Sequence, residues 1–324
     1  MLSTGHLQSI INQYIAELPI VQPPTELYKP IVYTLQGGGK RVRPVLMLAA
    51  YSLYNGGNFD AILAPATGIE LFHNYTLLHD DVMDGAALRH GRKTVYRAWN
   101  ENTAILSGDA MYVLASQYIA RVPDRHLREV LSLYNQMAIE VCQGQQYDMN
   151  FEHRTDVTTE QYLEMIRLKT AVLMATSLKI GAILADAPTA DADRLYQFGI
   201  YVGLAFQIRD DYLDVYGSED FGKSTGSDIV SNKKTYLLIQ ALEKADREQR
   251  AALLYQLHTH TTDEQSKVET VTRLYDQIGV KEICENQIRI YFAQATEILS
   301  ELTVNAQQAR ELRDFARELM FREI

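Results

Sequence analysis

The sequence predicts an all-α protein, and three observations carry that prediction. Period-2 alternation of apolar and polar residues is nearly absent. Apolar residues recur instead at helical spacing, in runs separated by Pro, Gly and Asn-Gly. No Pro/Gly/Ser-rich linker divides the 324 residues, so one domain, 1–324, is expected, with ample core at 47% hydrophobic content.

The elements follow in order. Leu7 to Leu18 is a short amphipathic helix ended by Pro19, and VQPP carries the chain to Thr25. A second helix runs to about Gln36, where Gly37, Gly38 and Gly39 stop it. Pro44 to Leu53 is the third, with Pro44 suited to a first turn, and Asn55-Gly56-Gly57 is a turn. Ala61 to Asp84 is the first long helix, with Pro65 in its first turn and an apolar stripe at Ile69, Phe72 and Leu77. Thr103 to Val122 and Asp124 to Phe151 are divided by Pro123. Glu160 to Leu184 has the near-continuous apolar texture of a helix surrounded by others. After the helix Asp191 to Tyr216, Gly217 to Lys233 is a loop rich in Gly and Ser. Lys234 to Leu257 is one helix or two, Asp263 to Leu302 holds at least two divided near Gly279, and Ala306 to Met320 closes the chain.

Composition excludes several classes. Charge breaks every apolar run before about 18 residues, so no membrane span is expected. Met1 to Leu18 has no basic start, continuous apolar stretch or small-residue cleavage site, which speaks against a signal peptide. The two cysteines, Cys142 and Cys284, lack metal-site spacing and fit a reduced, cytoplasmic protein. Net charge is -10, with 31 Lys+Arg against 41 Asp+Glu, which disfavours a nucleic-acid binder.

The chemistry centres on two like-spaced carboxylate clusters. Asp80, Asp81 and Asp84 lie at i, i+1 and i+4, which makes Asp80 and Asp84 neighbours on one helix face. Asp210, Asp211 and Asp214 repeat the pattern. Six such carboxylates repel one another unless cations sit among them, and oxygen ligands of this kind suit Mg²⁺ bridged to phosphates. In GGGKRVRP, Lys40, Arg41 and Arg43 follow three glycines, as exposed bases after a turn or as a pre-formed anion site. His73 precedes Asp80 by two helical turns and can donate to a phosphate oxygen. Arg89, His90 and Arg92 follow the first cluster, to pair with its carboxylates, to close over the outer oxygens of a diphosphate, or both. Lys169 and Thr170 interrupt an apolar helix, where a lysine needs anionic partners. Gln207 precedes Asp210 by three residues, Lys223 and Lys233 flank the loop after the second cluster, and Gln145 and Asp148 share a helix. His79-Asp80 is also an HD dyad of the metal-phosphohydrolase kind, but carboxylates outnumber the available His ligands.

Taken together, GGGKRVRP, LLHDDVMD, LRHGR, GQQYD, RLKTA, FQIRDDYLD and FGKSTGSDIVSNKKT resemble, in order and spacing, the trans-type polyprenyl diphosphate synthases, the farnesyl and geranylgeranyl diphosphate synthase family. The resemblance implies an isoprenoid-synthase-type helical bundle around a deep central cavity, and homodimers. It implies that Asp80, Asp81, Asp84, Asp210, Asp211 and Asp214 hold three Mg²⁺ per active site and the allylic diphosphate. Arg89, Lys169 and Lys233 match bases that contact that diphosphate, and Lys223 occupies a further basic position. Lys40, Arg43 and His73 match the isopentenyl diphosphate site. Thr170, Gln207, Gln145 and Asp148 match polar residues lining the reaction centre. One departure stands out: where the family has a second arginine serving isopentenyl diphosphate, this chain has His90, which is shorter and only partly charged near neutrality. The implied activity is short-chain prenyl transfer from a dimethylallyl, geranyl or farnesyl primer, with a terpene cyclase or a non-catalytic partner subunit as the rival readings.

Product length has a partial handle. Tyr75 and Thr76 are the fifth and fourth residues before Asp80, so they lie about 7.5 and 6 Å further along the helix. Thr76 is directly below Asp80 and forms the nearer wall, with Tyr75 to one side. In the family an aromatic at the fifth position limits elongation, which points to geranylgeranyl diphosphate (C20), with farnesyl diphosphate (C15) next.

Overall fold

The structure is a computed structural model and describes residues 3–217, 226–258 and 263–321. It is all-α, as predicted: the described residues are helical apart from connecting turns and one two-residue ladder. The helices begin with Thr4–Ala16, Thr25–Leu35, Val42–Asn55 and Leu63–Met83. Glu101–Ile119, Asp124–Phe151 and Thr159–Ile166 follow, then a π-helical turn at Arg167–Ala171, Val172–Leu184 and Thr189–Tyr216. Tyr236–Lys244, Arg247–His258, Glu264–Ile278, Val280–Ser300 and Ala306–Phe321 complete the long elements, with four-residue helices at Val95–Ala98 and Ser227–Val230.

Most boundaries fall where Pro, Gly and capping side chains put them. Gly279, at φ 82, divides the two helices after Asp263. Caps explain several starts that differ from expectation. Asn100 accepts from the Thr103 N–H, so that helix begins at Glu101 rather than Thr103. Ser3 likewise caps the first helix, which ends at Ala16. Three elements differ in kind. The expected continuous helix Glu160 to Leu184 is broken by the π-turn. The loop expected over Gly217 to Lys233 contains the helix Ser227–Val230. The segment after the first aspartates forms a hairpin, Leu88–Arg89 against Arg92–Lys93, around His90 (φ 50) and Gly91 (φ 74), the paired positive φ of a tight hairpin turn. No described helix is long and apolar enough to cross a membrane.

Contacts group the chain into two compact units. The first comprises Met1–Gln136, Leu173–Tyr196 and Ser300–Arg313. Its core is built on Val42–Asn55, Leu63–Met83 and Glu101–Ile119, where Leu46, Met47, Ile69 and Phe72 are completely buried. Gly68 lets the last two of these helices meet closely, since a Cβ there would lie 2.9 Å from the Ala115 carbonyl oxygen. The second comprises Met137–Val172, Gln197–Leu299 and Asp314–Ile324, with Tyr162, Phe198, Val202 and Ile208 among its buried side chains.

Candidate active site

In the first unit, Asp80, Asp81 and Asp84 end the helix Leu63–Met83, with Asp84 at its C-cap. Carboxylates are favoured at helix N-termini and opposed by the dipole at C-termini. Three of them in the last turn repel one another and oppose the dipole, and a bound cation would offset both effects. Asp81 is the buried member, 5% exposed, and accepts from Arg89 Nε at 2.8 Å. Burial pushes its carboxyl up to about 6; Arg89 opposes the shift, and Asp80 and Asp84 add to it. Asp80 is half-buried and Asp84 exposed. The hairpin that follows presents Arg89 back to the helix it has just left.

The basic residues of GGGKRVRP divide sharply. Lys40 is exposed. Arg41 is buried in the left-handed conformation (φ 47) and binds Glu70 at 2.6 Å, Asn12 at 3.2 Å and the Leu35 carbonyl. It is a structural residue, which the sequence pattern had grouped with the anion site. Arg43 reaches His73, with Nη1 3.0 Å from the imidazole Nε2. Burial holds His73 well below the ordinary imidazole range, and Arg43, Arg89, Arg41 and His90 reinforce the effect. His73 is thus neutral and its Nε2 accepts, which places its proton on Nδ1. Arg43 Nε is buried with no partner among the described residues, an arrangement suited to an incoming anion. Arg92 lies over the Tyr33 ring, 4.1 Å from its centroid.

Tyr75 lies in an aromatic cluster, with ring centroids 5.6 Å from Phe72, 5.4 Å from Tyr112 and 4.8 Å from His79. Thr76 donates back to the His73 carbonyl at 2.8 Å. In the sequence His79 stands out only as half of an HD dyad. Its Nε2 bonds the Ile105 carbonyl at 3.1 Å, and its ring occupies the space a Cβ at Gly108 would fill.

In the second unit the π-turn carries Lys169 and Thr170. A Cβ at Gly144 would lie 2.3 Å from Lys169 N, and one at Gly203 would lie 2.4 Å from Ala171 Cα. These two glycines form the slot into which the widened turn fits. Lys169 finds the anionic partner its setting required: Nζ donates to Asp148 at 2.6 Å. Thr170 donates to Gln207 Oε1 at 3.0 Å, and Gln207 Nε2 donates to Asp211 Oδ1 at 3.2 Å. Gln145 is half-buried on the same helix as Asp148.

The second cluster ends Thr189–Tyr216 as the first ends its own helix. Asp211 is again the buried member, 3% exposed; its Oδ2 accepts from the Tyr162 hydroxyl and from the Tyr236 N–H at 2.9 Å. Burial pushes it up to about 6, while Tyr162, the Tyr236 N–H, Lys233 and Gln207 oppose the shift. Asp210 is exposed. Asp214 accepts from Ser227 Oγ at 2.5 Å and the Asp228 N–H at 2.9 Å, which ties the first turn of the helix Ser227–Val230 to it. Lys233 is exposed, and Lys223 lies outside the described residues.

No three His, Cys, Asp or Glu side chains converge as a closed metal cage among the described residues. The donor set nonetheless fits Mg²⁺, a hard cation that keeps waters and shares its shell with substrate phosphates. A pH effect follows. A carboxyl raised from 3.8 to about 6 favours the protonated folded state, so its contribution is complete below about pH 4 and lost as pH rises through 6. Without divalent ions the protein should therefore lose melting temperature from pH 4 to 6.5 through these two groups. Millimolar Mg²⁺ should raise Tm by several °C at pH 7.5 and by much less at pH 5. Scanning calorimetry at matched ionic strength checks this; equal shifts at both pH values would show that the charge on these two carboxyls does not bear on metal binding by their neighbours.

Known proteins resemble the chain over most of its length. The polyprenyl synthetase family model matches residues 24–276. The chain is 41% identical over 240 residues to the geranylgeranyl diphosphate synthase of Methanosarcina mazei, covering 73% of this chain and 74% of that one. It is 39% identical over 270 residues to the geranylfarnesyl diphosphate synthase of Natronomonas pharaonis, covering 75% and 79%. Among solved structures, the geranylgeranyl pyrophosphate synthase of Corynebacterium glutamicum, complexed with isoprenyl diphosphate and magnesium, superposes with a TM-score of 0.88 at 25% identity, covering 99% of this chain and all of that one. The chain belongs to the polyprenyl synthetase family and is a prenyltransferase.

Proposed function

We propose that the protein condenses isopentenyl diphosphate with an allylic diphosphate, releases diphosphate, and makes geranylgeranyl diphosphate (C20) as its main product. The observation that carries this reading is the matched state of the two clusters. In each, the middle aspartate is buried and engaged, and the cluster lies in the closing turns of its helix, where the dipole disfavours carboxylates and a cation would offset their charge. On this reading Asp80, Asp84, Asp210 and Asp214 would hold the three Mg²⁺. Asp81 and Asp211, grouped with the ligands by sequence, act by positioning Arg89 and the Gln207–Thr170 pair. Bound Mg²⁺ would neutralise the charge that develops on the departing diphosphate.

The chain's own residues supply the rest. Arg89, Lys169, Lys223 and Lys233 hold the allylic diphosphate and stabilise it as it leaves. Lys40, Arg43 and His73 bind isopentenyl diphosphate, with the buried Arg43 Nε a ready donor. Thr170 and Gln207 offer oxygen and amide dipoles but no strong nucleophile to trap the allylic cation. The last proton goes to the departing diphosphate. The whole chain, 1–324, acts as one domain, in keeping with a family match that runs through stretches of both units. It works as a cytoplasmic homodimer. Unpaired Cys142 and Cys284 support the compartment, and the exposed Ile105, Leu106 and Val113 on one face of Glu101–Ile119 support the dimer.

Incubation with each primer, with and without isopentenyl diphosphate, and mass spectrometry of the products tests the reading. A C20 diphosphate formed only with isopentenyl diphosphate is expected; a cyclic hydrocarbon formed without it would overturn the proposal.

Two substitutions refine it. Tyr75→Ala should lengthen the main product by at least one C5 unit, because it opens a ring-packed wall one and a half turns below Asp80. Initial turnover should stay within about tenfold of wild type. Chromatography of the dephosphorylated alcohols reads the outcome, and an unchanged distribution would assign the floor to another side chain. His90→Arg should lower the KM for isopentenyl diphosphate and leave the allylic KM unchanged. A full charge replaces a partial one at an exposed turn, while Arg92 is engaged with Tyr33. Steady-state kinetics at pH 8 gives the cleanest comparison; an unchanged KM would show that the role is already filled.

A further inference from the structure

Two lysines lie buried beneath the segment that carries Lys233. Lys234 is 7% exposed and Lys267 5% exposed. Lys234 Nζ donates to the Asn232 carbonyl at 3.0 Å and to the Glu152 carbonyl at 3.1 Å. Lys267, one turn into Glu264–Ile278, donates to Asn232 Oδ1 at 2.6 Å and to the Val230 carbonyl at 3.3 Å. Two ammonium groups thus converge on one residue, and the oxygens they bond are all neutral. Burying a charge on such partners is costly, and an apolar stem would fill the same space. Burial lowers the pKa of both groups, as expected of charges held away from water.

Asn232 is the residue next to Lys233, and its backbone is left-handed, at φ 59. That conformation sets the direction in which the chain leaves it. The same segment is pinned at its start, where Gly226 presses against Val268 so closely that a Cβ would fall 2.6 Å from its Cγ1. It is pinned again where the Lys233 N–H donates to the Asp228 carbonyl at 2.9 Å. The exposed Lys233 side chain therefore starts from a backbone with little freedom, and Lys267 supplies its side-chain anchor from a helix outside the recognised motifs.

We propose that Lys267 is a positioning residue for allylic diphosphate binding, acting through Asn232 to fix the aim of Lys233. This rests on the reading that Lys233 binds that diphosphate. Lys267→Met keeps the length of the stem and removes the ammonium. Asn232→Gly keeps the left-handed backbone and removes the Oδ1 acceptor, so it breaks the same link from the other side with Lys267 in place.

Both substitutions and Lys233→Met are placed in a double-mutant cycle, with both substrate KM values and kcat measured. Each of the three single variants should raise the allylic KM about tenfold and leave the isopentenyl KM within about twofold. In the Lys233→Met background, Lys267→Met and Asn232→Gly should add nothing. A full additional loss in that background would overturn the proposal and make Lys267 a support of the fold alone. An unchanged allylic KM in either supporting variant, with Lys233→Met impaired, would also overturn it. An unchanged allylic KM in Lys233→Met itself would overturn the role of Lys233 first, and this inference with it.

Discussion

Gly144→Ala is expected to lower kcat at least about a hundredfold while the helices remain folded. The added Cβ would stand 2.3 Å from Lys169 N, 2.7 Å from its Cα and 2.8 Å from the Leu168 carbonyl carbon. All three are backbone atoms, so no side chain can swing away to make room. The π-turn has to shift or narrow, and Lys169 and Thr170 move with it. Overpacking of this kind costs about 1–3 kcal/mol, which a domain of this size registers as a few °C in Tm. The loss of turnover should far exceed what that change in stability explains. Gly203→Ala should behave alike, because its Cβ would meet Ala171 Cα at 2.4 Å. Gly5→Ala serves as the control, with nothing within 4 Å. Circular dichroism, Tm and steady-state kinetics on the three variants decide the matter; a Gly144→Ala enzyme within threefold of wild-type kcat would mean that the slot does not set the position of Lys169.

Asp80→Asn should reduce kcat about a thousandfold and change the isopentenyl KM by no more than about threefold. The substitution keeps shape and removes one charge from a cluster that a helix C-terminus already disfavours. It therefore weakens cation binding, and raised Mg²⁺ should recover part of the lost rate. Turnover and both KM values across a Mg²⁺ series measure this. A variant with near wild-type kcat at ordinary Mg²⁺ would remove Asp80 from the metal site.

How much of this was legible in the sequence depended on the range of the forces involved. Helix limits set by Pro123 or Gly279 could be read because local backbone chemistry decides them. The two carboxylate clusters were visible because i, i+1, i+4 spacing is a local pattern. The π-turn was not, since MIRLKTAVLMATSLKIGAIL has the texture of an ordinary buried helix; the glycines that shape it are at 144 and 203, far along the chain. Arg41 was misplaced for the same reason, because Glu70, which decides its role, is 29 residues away. The hairpin at Leu88–Lys93 is too short for any alternation to show, and its only local mark was His90-Gly91. The division of labour within each cluster depended on Arg89 in one case and on Tyr162 and Tyr236 in the other.

The buried contact between Arg41 and Glu70 bears on how this chain can vary over evolutionary time. Both side chains are about 5% exposed, and Asn74 also donates to Glu70 Oε1, at 2.9 Å. Losing one partner leaves a stranded charge at a cost of about 3–5 kcal/mol, whereas exchanging both for apolar residues of similar volume is tolerated far better. Drift through single steps is blocked at these two positions, so substitutions at 41 and 70 should enter a lineage as a pair or not at all.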